Sequence, residues 1–524
     1  MTPKNTSPTY ESWRQAVEDG LKGASFEKKL VSTTIDGLRI EPLYADSCES
    51  PAVFPGRSER AWERHEAFDL ASECDLESVV SSALERGIDG WRLSGMDASR
   101  LTQLKEVIGT RTLSLHPTDG ADWDSATLQV SPLQDQRLGA SPPLQLAIAL
   151  AGGLQAMREF GATPETYGKL EFELGLDTDF FTSIATLRAM RFAWARLVAA
   201  SGGSDSSQVV RIHAQPSERS YAKRDPWVNI LRGTTASFAA ALGGADSILT
   251  LPFDATTGQS DANATRLASN TQALLEEEAQ VGATRDPAAG SGYMETATEQ
   301  IASEGWKLFQ AIEARGGLCA ARKSGWISNE VQQVAAVAAQ LVARRKPGIV
   351  GVSEFPDLKE EQLEREQTQS LVKVDRLAAP FEALRDKSDA HLEKHGLRPQ
   401  AFLANIGESH EFRARAIFAT NLLAVAGIQT IDSEGFDDVA KATEAFINSN
   451  STLCVITSSD KGYLEFATPL ARSLKTHGAT ILLAGRPGDK REEWSAAGID
   501  EYIHLGCEAL EILERVLASQ EICA

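Results

Sequence analysis

The chain has 524 residues, 42% of them hydrophobic, which is enough for two or three domains that each bury a core. Its 52 basic and 73 acidic residues leave a net charge of −21, which excludes nucleic-acid binding as a main role and confines any anionic ligand to a local basic or helix-terminal pocket. The opening Met1-Thr2-Pro3-Lys4-Asn5 has no apolar signal core, no stretch approaches about 18 apolar residues, and the six cysteines (Cys48, Cys74, Cys319, Cys454, Cys507, Cys523) form no C-x-x-C, so the expectation is a cytoplasmic chain with reduced, mostly buried thiols.

Residues 1–50 read as an arm. An amphipathic helix over residues 10–21 sets Trp13, Val17 and Leu21 on one face. A strand pair over 29–33 and 38–43 turns at Asp36-Gly37. Residues 51–355 alternate strand-like and helix-like segments. Strands are expected at 90–94, 111–115, 127–131, 169–174, 209–213 and 247–251, with helices such as 181–200 and 226–242 between them. About 300 residues of repeating β-α units favour one (β/α)₈ TIM barrel, in which function sits at the carboxyl ends of strands. Those ends carry Ser131 to Gln134, Glu173, His213 with Gln215, and Asp254. Residues 356–398 are charged and read as a solvated helical linker.

Residues 399–524 read as a small doubly wound, flavodoxin-like sheet. Five strands, 401–406, 428–431, 452–457, 480–484 and 501–504, each precede a helix. No G-x-G-x-x-G follows the first strand, so a dinucleotide fingerprint is absent. The turn Ile406-Gly407-Glu408-Ser409-His410 places a histidine at the carboxyl end of that strand, with Ser409 positioned to cap the next helix.

Several runs occur in a recognisable order: Arg211-Ile212-His213-Ala214-Gln215, Arg224-Asp225-Pro226-Trp227-Val228-Asn229, Ala241-Leu242-Gly243-Gly244-Ala245-Asp246-Ser247, Arg266-Leu267-Ala268-Ser269-Asn270-Thr271-Gln272, Asp286-Pro287-Ala288-Ala289-Gly290-Ser291-Gly292-Tyr293, then Gly316-Gly317-Leu318 and Ser324-Gly325-Trp326. With Glu11-Ser12-Trp13-Arg14 and Pro42-Leu43-Tyr44 in the arm, the chain resembles the adenosylcobalamin-dependent methylmalonyl-CoA mutase family over nearly its whole length. The resemblance implies an acyl-CoA-threaded barrel joined to a flavodoxin-like cobalamin domain. It also implies a histidine and a tyrosine at the substrate, and a cobalt-ligating histidine in a D-x-H-x-x-G motif whose glycine leaves room for the displaced nucleotide tail.

The chain departs from that pattern at these points. The substrate-histidine position holds Gln134, an amide that donates a hydrogen bond but carries no proton. The run 54–68, expected to hold the tyrosine, contains none; its Trp62 and Arg64 echo the substrate-binding stretch. D-x-H-x-x-G reads Glu408-Ser409-His410-Glu411-Phe412-Arg413, S-x-L reads Ser458-Ser459-Asp460, and the Gly-Gly pair facing the tail reads Ala484-Gly485. His410 is the candidate cobalt ligand; Glu408, Arg413, Ser458, Asp460 and Gly485 are the remaining positions of a degenerate cobalamin motif. His213, Gln215 and Gln134 are the candidate substrate contacts. Glu173 reads as a paired or solvated carboxylate, and Arg224, Asp225 and Asn229 as fixing the loop before a barrel helix.

These departures resemble the family's small, non-catalytic subunits. Such a chain would pair with a large catalytic mutase subunit that holds adenosylcobalamin and interconverts methylmalonyl-CoA and succinyl-CoA. The alternatives are a competent mutase with Gln134 and His410 in adapted roles, and a stand-alone acyl-CoA-binding protein.

Overall fold

The structure, a computed structural model, describes residues 9–35, 37–44, 61–70, 74–95, 98–109, 114–117, 127–366 and 373–522. Asp36, Cys48, Cys523, residues 54–60 of the run where the resemblance places a tyrosine and residues 111–113 of one expected strand lie outside the described residues. The chain divides into two compact units. The described parts of the first fall within Met1–Ser220, Ile230–Val337 and Gln367–Asp375; those of the second fall within Tyr221–Asn229, Ala338–Glu366 and Arg376–Ala524.

In the first unit the arm helix Tyr10–Gly20 starts at the Thr9 cap and carries Trp13, Val17 and Leu21 half-buried, with Trp13 edge-on to Phe26. The expected strand pair is reduced to β1 (Ser32–Thr33) and β2 (Arg39–Ile40), because Ser25 caps a short helix, Phe26–Leu30, that takes over residues 29 and 30. Seven parallel strands follow: β3 (Glu63–Asp69), β4 (Gly90–Ser94), β5 (Ser114–Pro117), β6 (Leu128–Val130), β7 (Leu170–Leu176), β8 (Arg211–Pro216) and β9 (Ser247–Leu249). Their order is β5-β4-β3-β9-β8-β7-β6, so the first strand of the series pairs with the last. That cyclic order is the order of a (β/α) barrel. It shows seven strands rather than eight among the described residues, with β5 and β6 at the two ends. β3 is a strand the sequence reading does not expect; its alternating Glu63 and His65 carry polar groups on the face that turns inward.

The barrel wall is held by helices Pro142–Phe160, Phe180–Ala200 and Gly292–Ala314, which pack on one another. The first is capped by Ser141 and begins with prolines, and it is apolar around most of its circumference because it is covered on both sides. Gly153 permits the packing: a Cβ there would lie 2.6 Å from the Trp194 ring and 2.9 Å from Phe172.

In the second unit the charged stretch divides. Residues 357–366 carry no helix, and the helix Ala379–His395 occupies the later part. Five parallel strands follow, β10 (Gln400–Asn405), β11 (Gln429–Ile431), β12 (Leu453–Thr457), β13 (Thr480–Ala484) and β14 (Glu501–Ile503), in the order β11-β10-β12-β13-β14. This is the flavodoxin-like order, whose switch point lies between the carboxyl ends of β10 and β12. Helices Ser409–Val425 and Ala509–Ser519 pack on one face; Val439–Asn448, Asp460–Lys475 and Arg491–Ala497 pack on the other. No helix among the described residues is long and apolar enough to cross a membrane.

Candidate functional site

A barrel that threads a ligand along its axis needs small side chains there, and this axis carries large ones. Arg92 on β4 is fully buried; it donates from Nη1 to Glu171 on β7 at 2.7 Å, from Nε to His65 Nδ1 at 3.1 Å and from Nη2 to Ser247 Oγ at 3.2 Å. Glu171 also accepts from Arg211 Nε at 2.8 Å, and Arg211 pairs with Glu63. The His65 ring lies 4.9 Å from His116 and is stacked 5.4 Å from His213, centroid to centroid. His213 Nδ1 is 2.8 Å from Ser247 Oγ. Gly90 makes this convergence possible, since a Cβ there would stand 2.6 Å from His65 Nε2.

The electrostatics follow from burial. Burial, then the nearby Arg92, holds His65 and His213 well below the usual imidazole range and pulls His116 down to about 4. Burial pushes the Glu171 carboxyl up, but Arg92, His116 and Arg211 together outweigh it and hold it at about 2. Glu173, also buried, is raised by burial although Ser131 Oγ donates to it at 2.6 Å. The axis is therefore a set of neutral rings around a compensated Arg–Glu core.

Glu63, His65 and His116 bring three ligand-type atoms within 4.8 Å of one another. The hydrogen bonds do not suit a metal. Arg92 Nε–H points at His65 Nδ1, so that nitrogen accepts and Nε2 carries the proton, facing Glu63 at 3.3 Å. No lone pair is left on His65 for an ion, and Arg92 and Arg211 add positive charge beside it.

Of the substrate candidates, His213 and Gln215 share one face of β8, whereas Gln134 is bonded elsewhere. His213 is the third residue of β8 and Glu173 the fourth of β7, so both lie within the barrel rather than at its rim. Gln215 is buried near the end of β8, paired in register with Gly175. Gln134 is exposed on the helix Leu133–Arg137 and donates from Nε2 to the Lys373 carbonyl at 3.1 Å. Trp62 is buried with its indole N–H on Gln272 Oε1 at 3.1 Å, and Arg64 pairs with Glu276 and Glu277. Asp254 is buried in the loop after β9.

In the second unit Arg224 binds Asp386 and Asp389 at 2.5 and 2.6 Å, and the Asn229 amide exchanges two hydrogen bonds with the Ala222 backbone. Asp225, at φ 45, donates its N–H to Glu360. These three residues fix the 221–229 loop.

The turn after β10 keeps its histidine at the surface. Gly407 adopts φ +91, which leaves Glu408 extended as the helix cap in place of Ser409. Glu408 and Glu411 form a capping box, with Glu411 accepting from the Glu408 N–H at 3.0 Å. The His410 side chain is 77% exposed and stands 3.4 Å from the Glu408 carboxylate. An open depression of about 550 Å³ beside it is lined by Glu408, Glu411, Glu434 and Asp437 among others, a carboxylate-rich wall.

The residues that would have to admit a nucleotide tail do not fit one. Arg413 is exposed; the side chain that enters the groove is Arg415, two residues on. Its guanidinium lies 4.8 Å over the Tyr463 ring, donates to the Ser458 carbonyl at 2.7 Å and pairs with Asp460. Tyr463 is buried, donates to the Ala484 carbonyl at 2.7 Å, and would stand 3.0 Å from a Cβ on Gly485. Ser458, Asp460, Ala484 and Gly485 thus face protein side chains. Beneath them Phe412, Ala416 and Leu423 close on Leu403, Val455 and Leu482 in a packed core.

The Arg92–Glu171–histidine cluster is not among the candidates that the sequence motifs offer, although the sequence carries a signal for it. Leu170-Glu171-Phe172-Glu173-Leu174 and Trp91-Arg92-Leu93 set charges at period two inside apolar strands, which marks a polar inward face.

Comparison with known proteins agrees with this architecture. Residues 121–427 match the family described as Methylmalonyl-CoA mutase. The chain is similar to a protein of Streptomyces virginiae named methylmalonyl-CoA mutase small subunit, 34% identical over 97% of this chain and 96% of that one. It is 36% identical, over 96% of each chain, to a probable methylmalonyl-CoA mutase small subunit of Mycobacterium tuberculosis H37Rv. A methylmalonyl-CoA mutase of Escherichia coli K12 is 30% identical over 61% of this chain and 45% of its own. A barrel followed by a flavodoxin-like sheet, with this ordered set of motifs and these relatives, establishes that the chain belongs to the methylmalonyl-CoA mutase family.

Proposed function

We propose that this chain is the small, non-catalytic subunit of a heterodimeric methylmalonyl-CoA mutase in the cytoplasm. Its partner would be a large catalytic subunit that binds adenosylcobalamin and interconverts methylmalonyl-CoA and succinyl-CoA; this chain would stabilise that partner by burying a shared interface. The observation that carries the reading is the barrel axis. Arg92, Glu171, His65 and His213 are all buried there, with Arg92 bonded to Glu171 and His65 and with His213 stacked on His65, so an acyl-CoA chain could enter only by breaking a compensated ion pair. The exposed His410 and the groove filled by Arg415 and Tyr463 support the same reading, as do relatives named small subunit along nearly the whole chain. In this reading the five-stranded unit keeps the fold and leaves the cofactor to the partner.

The test is co-expression with a large mutase chain, followed by purification on a tag carried by this chain. The expected result is a stable complex that converts methylmalonyl-CoA, while this chain alone leaves the visible spectrum of adenosylcobalamin unchanged. Tight, base-off cobalamin binding by this chain alone, abolished in His410→Ala, would overturn the proposal in favour of a competent mutase. Calorimetric binding of acyl-CoA esters without any partner would favour a stand-alone binding protein.

A further inference from the structure

One short stretch, residues 373–375, is fastened across the carboxyl end of the barrel sheet. Gln134 donates to the Lys373 carbonyl at 3.1 Å, and the Asp375 N–H donates to the Arg137 carbonyl at 2.9 Å. The Asp375 carboxylate stands 3.8 Å from the guanidinium of Arg219. Arg219 lies in the single turn Glu218–Ser220 that follows β8, and only 5% of it is exposed.

This arginine is charged, buried and incompletely bonded. Its Nη1 has no hydrogen-bond partner, and Asp375, at 3.8 Å with its side chain 56% exposed, is close enough to attract it but too far to bond it. Burial lowers its affinity for the proton, against the pull of Asp375 and Asp177. Room for the guanidinium comes from Gly139, at φ +112: a Cβ there would lie 2.8 Å from Nη1. Arg137 stands on the neighbouring helix and bonds Glu218 through Nη2 at 2.9 Å, but its buried Nε is also without a partner. Two guanidinium groups, one buried and one half-buried, each with a buried unmet donor at one barrel mouth, are costly unless an anion meets them.

We propose that the barrel mouth is a carboxylate-binding site centred on Arg219, and that Asp375 of the chain's own strap is its resident occupant. A planar guanidinium with a free N–H matches a carboxylate, which can take two of its donors at once. A carboxylate from solution that reaches Nη1 makes charge-assisted bonds that Asp375 does not make. Because the axis below is filled by Arg92 and the histidines, the ligand stops at the mouth. The site therefore takes a small free carboxylate rather than the head of a long threaded chain. Among the described residues, two hydrogen bonds and one long ion pair hold the strap.

The test is calorimetric titration of the full-length chain with sodium malonate, and separately with inorganic phosphate. Asp375→Asn keeps the shape of the strap and removes its charge; it is expected to bind malonate about tenfold more tightly than the parent chain. Gln134→Ala loosens the strap without touching Arg219 and is expected to shift affinity the same way. Adding Arg219→Gln to Asp375→Asn is expected to remove the gain, with circular dichroism reporting whether the double variant folds. If neither Asp375→Asn nor Gln134→Ala binds malonate better than the parent chain, the proposal is wrong, whatever the double variant does. A gain that survives in a folded Asp375→Asn/Arg219→Gln chain, or an equal gain for phosphate, also overturns it.

Discussion

His213 and His410 both belong to parallel sheets, and their surroundings are opposite. His213 is fully buried, stacked on His65 and bonded to Ser247. His410 is almost entirely in water, with one exposed carboxylate beside it. In the barrel the space along the axis is filled by charges that compensate one another. In the flavodoxin-like unit the groove is filled by Tyr463 and Arg415, and the histidine is left outside it. A retained histidine therefore says little about ligand binding. What matters is whether the groups around it leave a lone pair free and a path open.

The contrast predicts unequal consequences for substitution. Arg92→Met should have the largest effect, because Glu171 would stay buried without its closest charged partner, left to the half-buried Arg211 and to His116 at 3.8 Å. A loss of roughly 3–5 kcal/mol in unfolding free energy is expected by urea denaturation. A loss under about 1 kcal/mol would mean that the axis is wetter than the geometry indicates.

Acid should act next. The buried histidines have folded pKa values below the unfolded value of 6.5, so their neutral state supports folding above that pH. The support is lost as pH falls from 6.5 toward about 4, where His116 finally takes its proton. His116 alone accounts for on the order of 3 kcal/mol across that window. Glu171, held at about 2, extends the loss below 4.5. Urea midpoints at a series of pH values between 7.5 and 4 should fall steadily; a flat profile above pH 5 would show that the rings are already solvated.

Smaller effects belong to the second unit. Tyr463→Phe removes the bond to the Ala484 carbonyl and should cost about 1 kcal/mol, read from the thermal midpoint. His410→Ala should change stability by less than about 0.5 kcal/mol, because nothing buried depends on the ring. In the proposed heterodimer it should also leave mutase activity at the parent level. A marked drop in activity would restore His410 as a ligand and remove the contrast.

Much of the frame was legible from sequence. The five strands of the second unit fall within two residues of their expected limits, since alternation, turn glycines and helix caps are local signals. β4, β7 and β8 were recognisable as apolar runs for the same reason. β3 was not, because a strand reading Glu63-Arg64-His65-Glu66 looks like a solvated segment until a barrel closes around it. The candidate site was less legible. Arg413 was the residue expected in the groove, but residues 413 and 415 lie on opposite sides of a helix, and the cap at Glu408 sets which of them faces the groove.

The sequence by itself determined the order of elements, the two parallel-sheet units and the family, because periodicity, capping and ordered motifs act over a few residues. Only the tertiary structure decided which charges meet. Arg92 and Glu171 are 79 positions apart, and Trp62 and Gln272 are 210 apart. Their encounter depends on the register of β3 against β9 and on the curl that brings the first strand beside the last. Burial then converted three ordinary histidines and an Arg–Glu pair into a filled axis, since removing water makes each of those groups depend on the others.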